Sequence, residues 1–343
     1  MPPKRKSPSP SPIPSSLSSS PPPALPTHQP TPAEIARHLL AHHGILFSET
    51  LGLDLAHNSL DDDLLFQWLV ASVLYSARIR HHNSTRAAKA LFKAGFTNPQ
   101  RMAGTAWEER VRVLNENGYA RYDESTSRYL GDLSTHLLNS HSGSLLKLRA
   151  HAHNDPVALR TLLKQFKGLS DVGVDIFLRE AQLALPELFP FLDAKAAEGA
   201  KRLGMINPDV GREEATQRLL ELACETGEEG AKERFVRLVA ALVRVVLEKK
   251  VGEVVRRVAE EGEKRAGEEE EKMNDENDRK ERQRRHTKLR RDARGSQRHF
   301  NDDDDASKPT QRTKRPRYKS SGHASKRFAK STNAHEANIG SSE

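Results

Sequence analysis

An all-α fold is predicted for this chain by three observations. Apolar residues in its middle recur at helical spacing, helix-start and helix-stop residues punctuate them, and no alternating apolar run bounded by turns marks a strand. These features are confined to residues 31–255, which are expected to form one multi-helix domain. Residues 1–30 hold eleven of the nineteen prolines together with serine runs. Such a segment buries too little apolar surface to offset its chain entropy, and a disordered tail is expected. Residues 256–343 pass from acidic to basic blocks with few apolar side chains and are expected to form a charged tail, helical at first and mostly disordered beyond.

The first helix opens at "TPAEIARHLLAHHG": Thr31 is the N-cap, Pro32 takes the first helical position, Glu34 completes a capping box and Gly44 stops the run. Ile35, Leu39 and Leu40 form its buried stripe. In "DDDLLFQWLVASVLYSARI" three aspartates favour the N-terminal dipole, and Leu65, Trp68, Leu69, Ser72, Val73 and Ser76 recur as a buried face. "STRAAKALFKAGF" gives a short helix ended by Gly95, and one more is expected from a cap near Thr105 to Gly118. "DESTSRYLGDLSTHLLNSH" carries Tyr129, Leu133, Leu137 and Leu138 on one face, and Asp155 with Pro156 starts "DPVALRTLLKQF". "VGVDIFLREAQLAL", "DAKAAEGAKRLGM" and "REEATQRLLELACETG" follow, then one long helix from "AKERF" onward with an interruption expected at Gly252.

Composition narrows the partners. A net charge of +8 over 343 residues points to an anionic partner, nucleic acid first. No apolar run is long enough to span a bilayer and no signal-peptide core stands near Met1, so no membrane partner is expected. Cys224 is the sole cysteine, which excludes an intramolecular disulfide, a Cys-rich zinc site and a four-cysteine iron–sulfur cluster. On its amphipathic helix Cys224 is expected in the core. His42, His43, His81 and His82 lack a ligand pattern and are expected at the surface, with no metal site. Basic clusters at 3–6, 279–294 and 312–319 suit a nuclear import receptor or phosphate contact, and a nuclear monomer is expected.

One stretch stands apart: "QFKGLSDVGVDIFLRE", residues 165–180. Leu159, Leu162 and Leu163 give the preceding helix its apolar face, Gly168 and Gly173 relax the turn, and Ile176 and Phe177 begin the next face. A glycine turn leading into a helix presents backbone N–H groups that a phosphate can approach, with the dipole favouring its charge. Lys164 and Lys167 add positive charge beside it. A plain turn between two helices explains the same residues.

The surroundings carry a resemblance. Over roughly residues 64–205, "LYSARIRHHNSTRAAKALF", "FKGLSDVGVDIFL" and "LDAKAAEGAKRLGM" occur in the order and approximate spacing of the helix–hairpin–helix (HhH-GPD) DNA glycosylase superfamily, the endonuclease III-like enzymes. "RYDEST" and "DIFLRE" resemble the signatures of one divergent subgroup. The resemblance implies an all-α HhH-GPD fold with its hairpin at residues 159–180, binding double-stranded DNA through Lys167, Gly168, Leu169, Ser170, Asp171, Val172 and Gly173. It implies Asp193 as the carboxylate that stabilises the sugar cation while a damaged or mispaired base departs. Arg78, Tyr119, Tyr122 and Lys164 are implied as base-gap or phosphate contacts. The chain departs from the pattern where Lys167 replaces a proline, Ser170 a glycine and Val172 the lysine that would form a Schiff base. Strand-cleaving lyase chemistry is therefore not expected by that route; Lys195 is the one nearby substitute. No cofactor is expected beyond a monovalent cation on the hairpin carbonyls. Two functions stay open: a monofunctional DNA N-glycosylase of base-excision repair, and an inactive DNA-binding module. Asp193 before "AKAAEGAKRL" is equally a good helix N-cap.

Overall fold

In the computed structural model, which describes residues 28–57, 61–226 and 230–299, every regular element is a helix. Residues 1–27 and 300–343, including the clusters at 3–6 and 312–319, lie outside the described residues. Contacts divide the chain into two units, 1–273 and 274–343.

The first unit begins as the sequence predicts. At the start of α1 (Pro32–His43), the Thr31 hydroxyl accepts from the Glu34 N–H at 3.3 Å and the Glu34 carboxylate accepts from the Thr31 N–H at 2.9 Å. That second bond is the main force holding the Glu34 carboxyl down at about 2. Ile35 and Leu39 are buried, but His38 shares their stripe while Leu40 is only half-buried. After the short α2 (Phe47–Thr50), α3 (Asp62–Ser76) is capped by the Asp61 side chain and buried on nearly every face from Leu65 to Leu74. A helix apolar all round belongs in the middle of a fold, and α3 lies against α4 (His81–Lys93), and α10 (Asp171–Ala181).

The helix expected from a cap near Thr105 to Gly118 is α6 (Trp107–Leu114) with a π-type turn at Asn115–Tyr119, and a short α5 (Pro99–Gly104), not anticipated, precedes it. Thr105 is extended (φ −86°, ψ 144°), and its hydroxyl donates to the Arg101 carbonyl at 2.7 Å instead of capping α6. Next come α7 (Asp123–His141) and α8 (Leu145–His151), the latter not anticipated. Seven residues are too few for periodicity to show, and the Ser144 cap is its only local mark. α9 (Pro156–Leu163), capped by Asp155, leads through the glycine turn into α10; α11 (Ala194–Arg202), α12 (Arg212–Glu225) and α13 (Ala231–Leu247) follow.

Helix α6 packs beside α4 and α7 beside α3, with α5 against α7, whereas α1, α11 and α12 surround α13, and α10 touches both α3 and α13. The two helix groups thus share a seam along α10. The break in the last long helix falls at residues 248–250, where Lys249 adopts φ +58°, and Gly252 sits inside α14 (Val251–His299). Cys224 is exposed, its helix burying Leu222 and Ala223 instead. Val254, Val258 and Ala259 of α14 are buried; farther along, the helix is exposed and laced by i,i+4 pairs such as Glu276–Lys280 and Glu281–Arg285.

Candidate functional site

The glycine turn is built by close approach. Gly168 has φ +88°, and a Cβ there would lie 2.4 Å from the ring of Tyr129. Both the conformation and the space demand glycine. Leu169 anchors the turn in the core at 4% exposure. Ser170 caps α10, its hydroxyl accepting from the Gly173 N–H at 3.3 Å. The N–H groups of Asp171 and Val172, in the first helical turn, are left without an intrahelical acceptor by helix geometry.

The charges around this turn are compensated by acids. Lys164 pairs with Asp171 at 2.9 Å, Lys167 with Asp132 at 3.5 Å, and Arg160 with Asp175 at 2.6 Å. Asp171 stands in the first turn of α10, where its own carboxylate favours the dipole, and the Lys164 hydrogen bond holds its carboxyl below the usual range.

Asp193 caps α11. Its Oδ1 accepts from the N–H groups of Lys195 at 2.7 Å and Ala196 at 3.0 Å. Its Oδ2 accepts from Arg179 Nε at 2.5 Å, and both side chains are at most 5% exposed. The loop that delivers Asp193 is held by Gln182, whose amide donates to the Phe191 carbonyl at 3.0 Å and accepts from the Phe191 N–H at 2.9 Å.

A cleft of about 470 Å³ joins these parts. Val172, Arg179 and Asp193 all line it, although sequence separates Val172 from Asp193 by some twenty residues. Its remaining wall comes from Phe47, from Tyr75, Ala77, Ile79 and His81 around the end of α3, and from Val243 and Leu247 of α13. Phe47 and Tyr75 meet edge to face at 5.8 Å, and the Arg244 guanidinium lies 4.5 Å from the Phe47 ring centre. The Tyr75 hydroxyl bonds Thr85 at 2.8 Å, and burial pushes its pKa up to about 12. His81, expected at the surface, is half-buried in the cleft wall 4.0 Å from Glu248, and burial lowers its pKa. It is therefore neutral at pH 7.

Other expected contacts fall elsewhere. Arg78 is exposed at the cleft rim between the lining residues Ala77 and Ile79. Tyr119 is a correction: it is fully buried, its hydroxyl donating to the Leu74 carbonyl at 3.0 Å, so it packs the core and has no surface to offer a ligand. Tyr122 is half-buried against the core with Arg121 5.2 Å from its ring centre, and it does not line the cleft. Lys195 lines the cleft and pairs with Glu198 at 2.9 Å.

Phe47, Tyr75, His81 and Arg179 are the cleft residues that sequence reasoning missed. Arg179 had a readable signal: it lies seven residues after Val172 and three after Ile176, on one face of α10. No protein-family model and no curated protein sequence matches this chain. Among solved structures, a trapped endonuclease III–DNA covalent intermediate (an estranged-adenine complex) is similar at 18% identity and a TM-score of 0.38, covering 63% of this chain and 86% of that chain.

Proposed function

We propose that this chain is a DNA repair protein of the helix–hairpin–helix glycosylase type, which takes an extruded nucleotide into the cleft and hydrolyses its N-glycosidic bond. The observation that carries this reading is that the end of the glycine turn, at Val172, and the buried carboxylate of Asp193 line one cleft. Its volume of about 470 Å³ suits a nucleobase with its sugar, and the Phe47–Tyr75 pair offers an aromatic wall. In the reaction, water attacks C1′ as the C1′–N bond breaks, the bonding pair leaves with the base, and the base takes up a proton. Asp193 stabilises the positive charge that develops on the sugar. Val172 puts an apolar group where a lysine nucleophile would stand, so no Schiff base forms by that route. Neutral His81 in the wall is available to hydrogen-bond a base edge. A duplex phosphate would meet the N–H groups of Asp171 and Val172, and the basic stretch at 279–294 would add affinity without sequence preference. Its cluster would also serve a nuclear import receptor, and the protein would act as a nuclear monomer without a cofactor, save a monovalent cation on the hairpin carbonyls.

One observation favours a second reading, a DNA-binding module without chemistry: Arg179 neutralises the carboxylate on which the sugar cation depends. Labelled duplexes carrying uracil, alkylated, oxidised, mismatched or abasic sites separate the two when incubated with the full chain, with and without hot alkali. The glycosylase reading expects alkali-dependent breaks at one lesion, reduced at least about a hundredfold in Asp193→Asn. Tight binding with no breaks would establish the binding module. Breaks without alkali would overturn the water mechanism and turn attention to Lys195.

A further inference from the structure

Away from the cleft, α1 and α14 bring together three side chains that the proposed glycosylase chemistry does not use. His38 and His42 are one helical turn apart on α1, and their ring centres are 4.5 Å apart. Glu261 reaches them from α14, with Oε1 3.1 Å from His38 Nδ1. One ligand atom from each of the three lies within 4.8 Å of the other two. We propose that His38, His42 and Glu261 form a binding site for a divalent transition-metal ion of the zinc class, clipping α1 to the start of α14.

The donor set selects the ion. Two imidazoles and one carboxylate suit zinc and its neighbours rather than calcium or magnesium, which take oxygen ligands. Ligands about 2.1 Å from a tetrahedral zinc ion stand roughly 3.4 Å apart. The observed spread closes to that by a small rotation of His42, which is exposed and free to turn, while buried His38 stays in place. Three protein ligands leave a position for water.

The electrostatics agree. On α14, Arg257 is engaged by Glu253 at 2.6 Å, and Arg265 lies 3.7 Å from Glu261 Oε2, the oxygen not bonded to His38. His43 stands just outside, its ring centre 6.1 Å from that of His38. The site ties residues near the beginning of the first unit to residues 223 positions later, so metal bound there closes a long loop and stabilises the folded state.

The test uses the full chain without a polyhistidine tag, stripped with chelator and titrated with zinc chloride by calorimetry, alongside thermal unfolding. Wild type is expected to take up one tight equivalent and to unfold at a higher temperature with zinc. His42→Ala and Glu261→Gln are expected to weaken that equivalent at least about tenfold, since losing a direct ligand costs no less than losing one of its outer hydrogen-bond partners. They should also abolish the thermal shift. His82→Ala, on an exposed histidine of α4, is expected to change neither. His42 is exposed, so its loss leaves the fold intact. No uptake by the wild type, or uptake and thermal shift unchanged in both variants, would overturn the site.

Discussion

Arg179 and Asp193 form a nearly sealed ion pair at 5% and 2% side-chain exposure, and each holds the other's charge away from water. Removing one partner of such a pair costs far more than removing both, because a lone buried charge remains. Asp193→Ala is therefore expected to lose about 3 kcal/mol of stability, part of it the α11 cap. The double variant Arg179→Met/Asp193→Ala is expected to recover at least half of that loss in urea unfolding. Equal losses in single and double variants would mean that the pair contributes nothing beyond the cap. At this scale the sequence was informative about Asp193 as a helix cap, which local context announces, but not about its meeting with Val172. Tyr119 shows the converse: expected as a base-gap or phosphate contact, it places its hydroxyl on the Leu74 carbonyl in the core.

Asp193 is carried into the cleft by α11, and α11 is placed by its contact with α13. Gly199 makes that contact close: a Cβ there would stand 2.9 Å from the Leu242 carbonyl oxygen and 3.1 Å from Val246. A backbone carbonyl in a helix does not yield as a flexible side chain does. Gly199→Ala gains about 1 kcal/mol of helix propensity yet is expected to be net destabilising by about 1 kcal/mol through overpacking. Chemical denaturation checks the sign, and a stabilised variant would mean that α11 slides on α13 without cost. Helix starts were legible from their capping side chains at Thr31, Asp155 and Asp193, but not at Asn98 and Ser144, which cap the short α5 and α8. Breaks were less so. Nothing in the propensity of Lys249 marks the left-handed turn between α13 and α14, which packing imposes from outside the segment.

Across the first unit, four histidines have pKa values lowered from 6.5, chiefly by burial: His38, His43, His81 and His141. A depressed histidine binds fewer protons folded than unfolded. Its stabilisation is complete above about pH 6.5 and is lost as pH falls through the folded value. Glu180 opposes this trend. It is fully buried, accepts from the Phe47 and Ser48 N–H groups, and burial raises its pKa, so its contribution improves as pH falls. In Glu180→Gln, where the opposing carboxyl is gone, the four histidines predict a midpoint of thermal unfolding that declines between pH 7 and pH 5, without added metal; a flat or rising profile would contradict it. By itself the sequence determined the all-α class, most helix starts, the apolar residue at 172 and the single cysteine, because capping, periodicity and composition act within a few residues. Only the tertiary structure decided that Val172, Arg179 and Asp193 share a cleft walled by Phe47 and Tyr75, and that His38 and His42 face Glu261. Those meetings depend on how whole helices lie against one another, and that arrangement is set by the summed burial of many side chains rather than by any local motif.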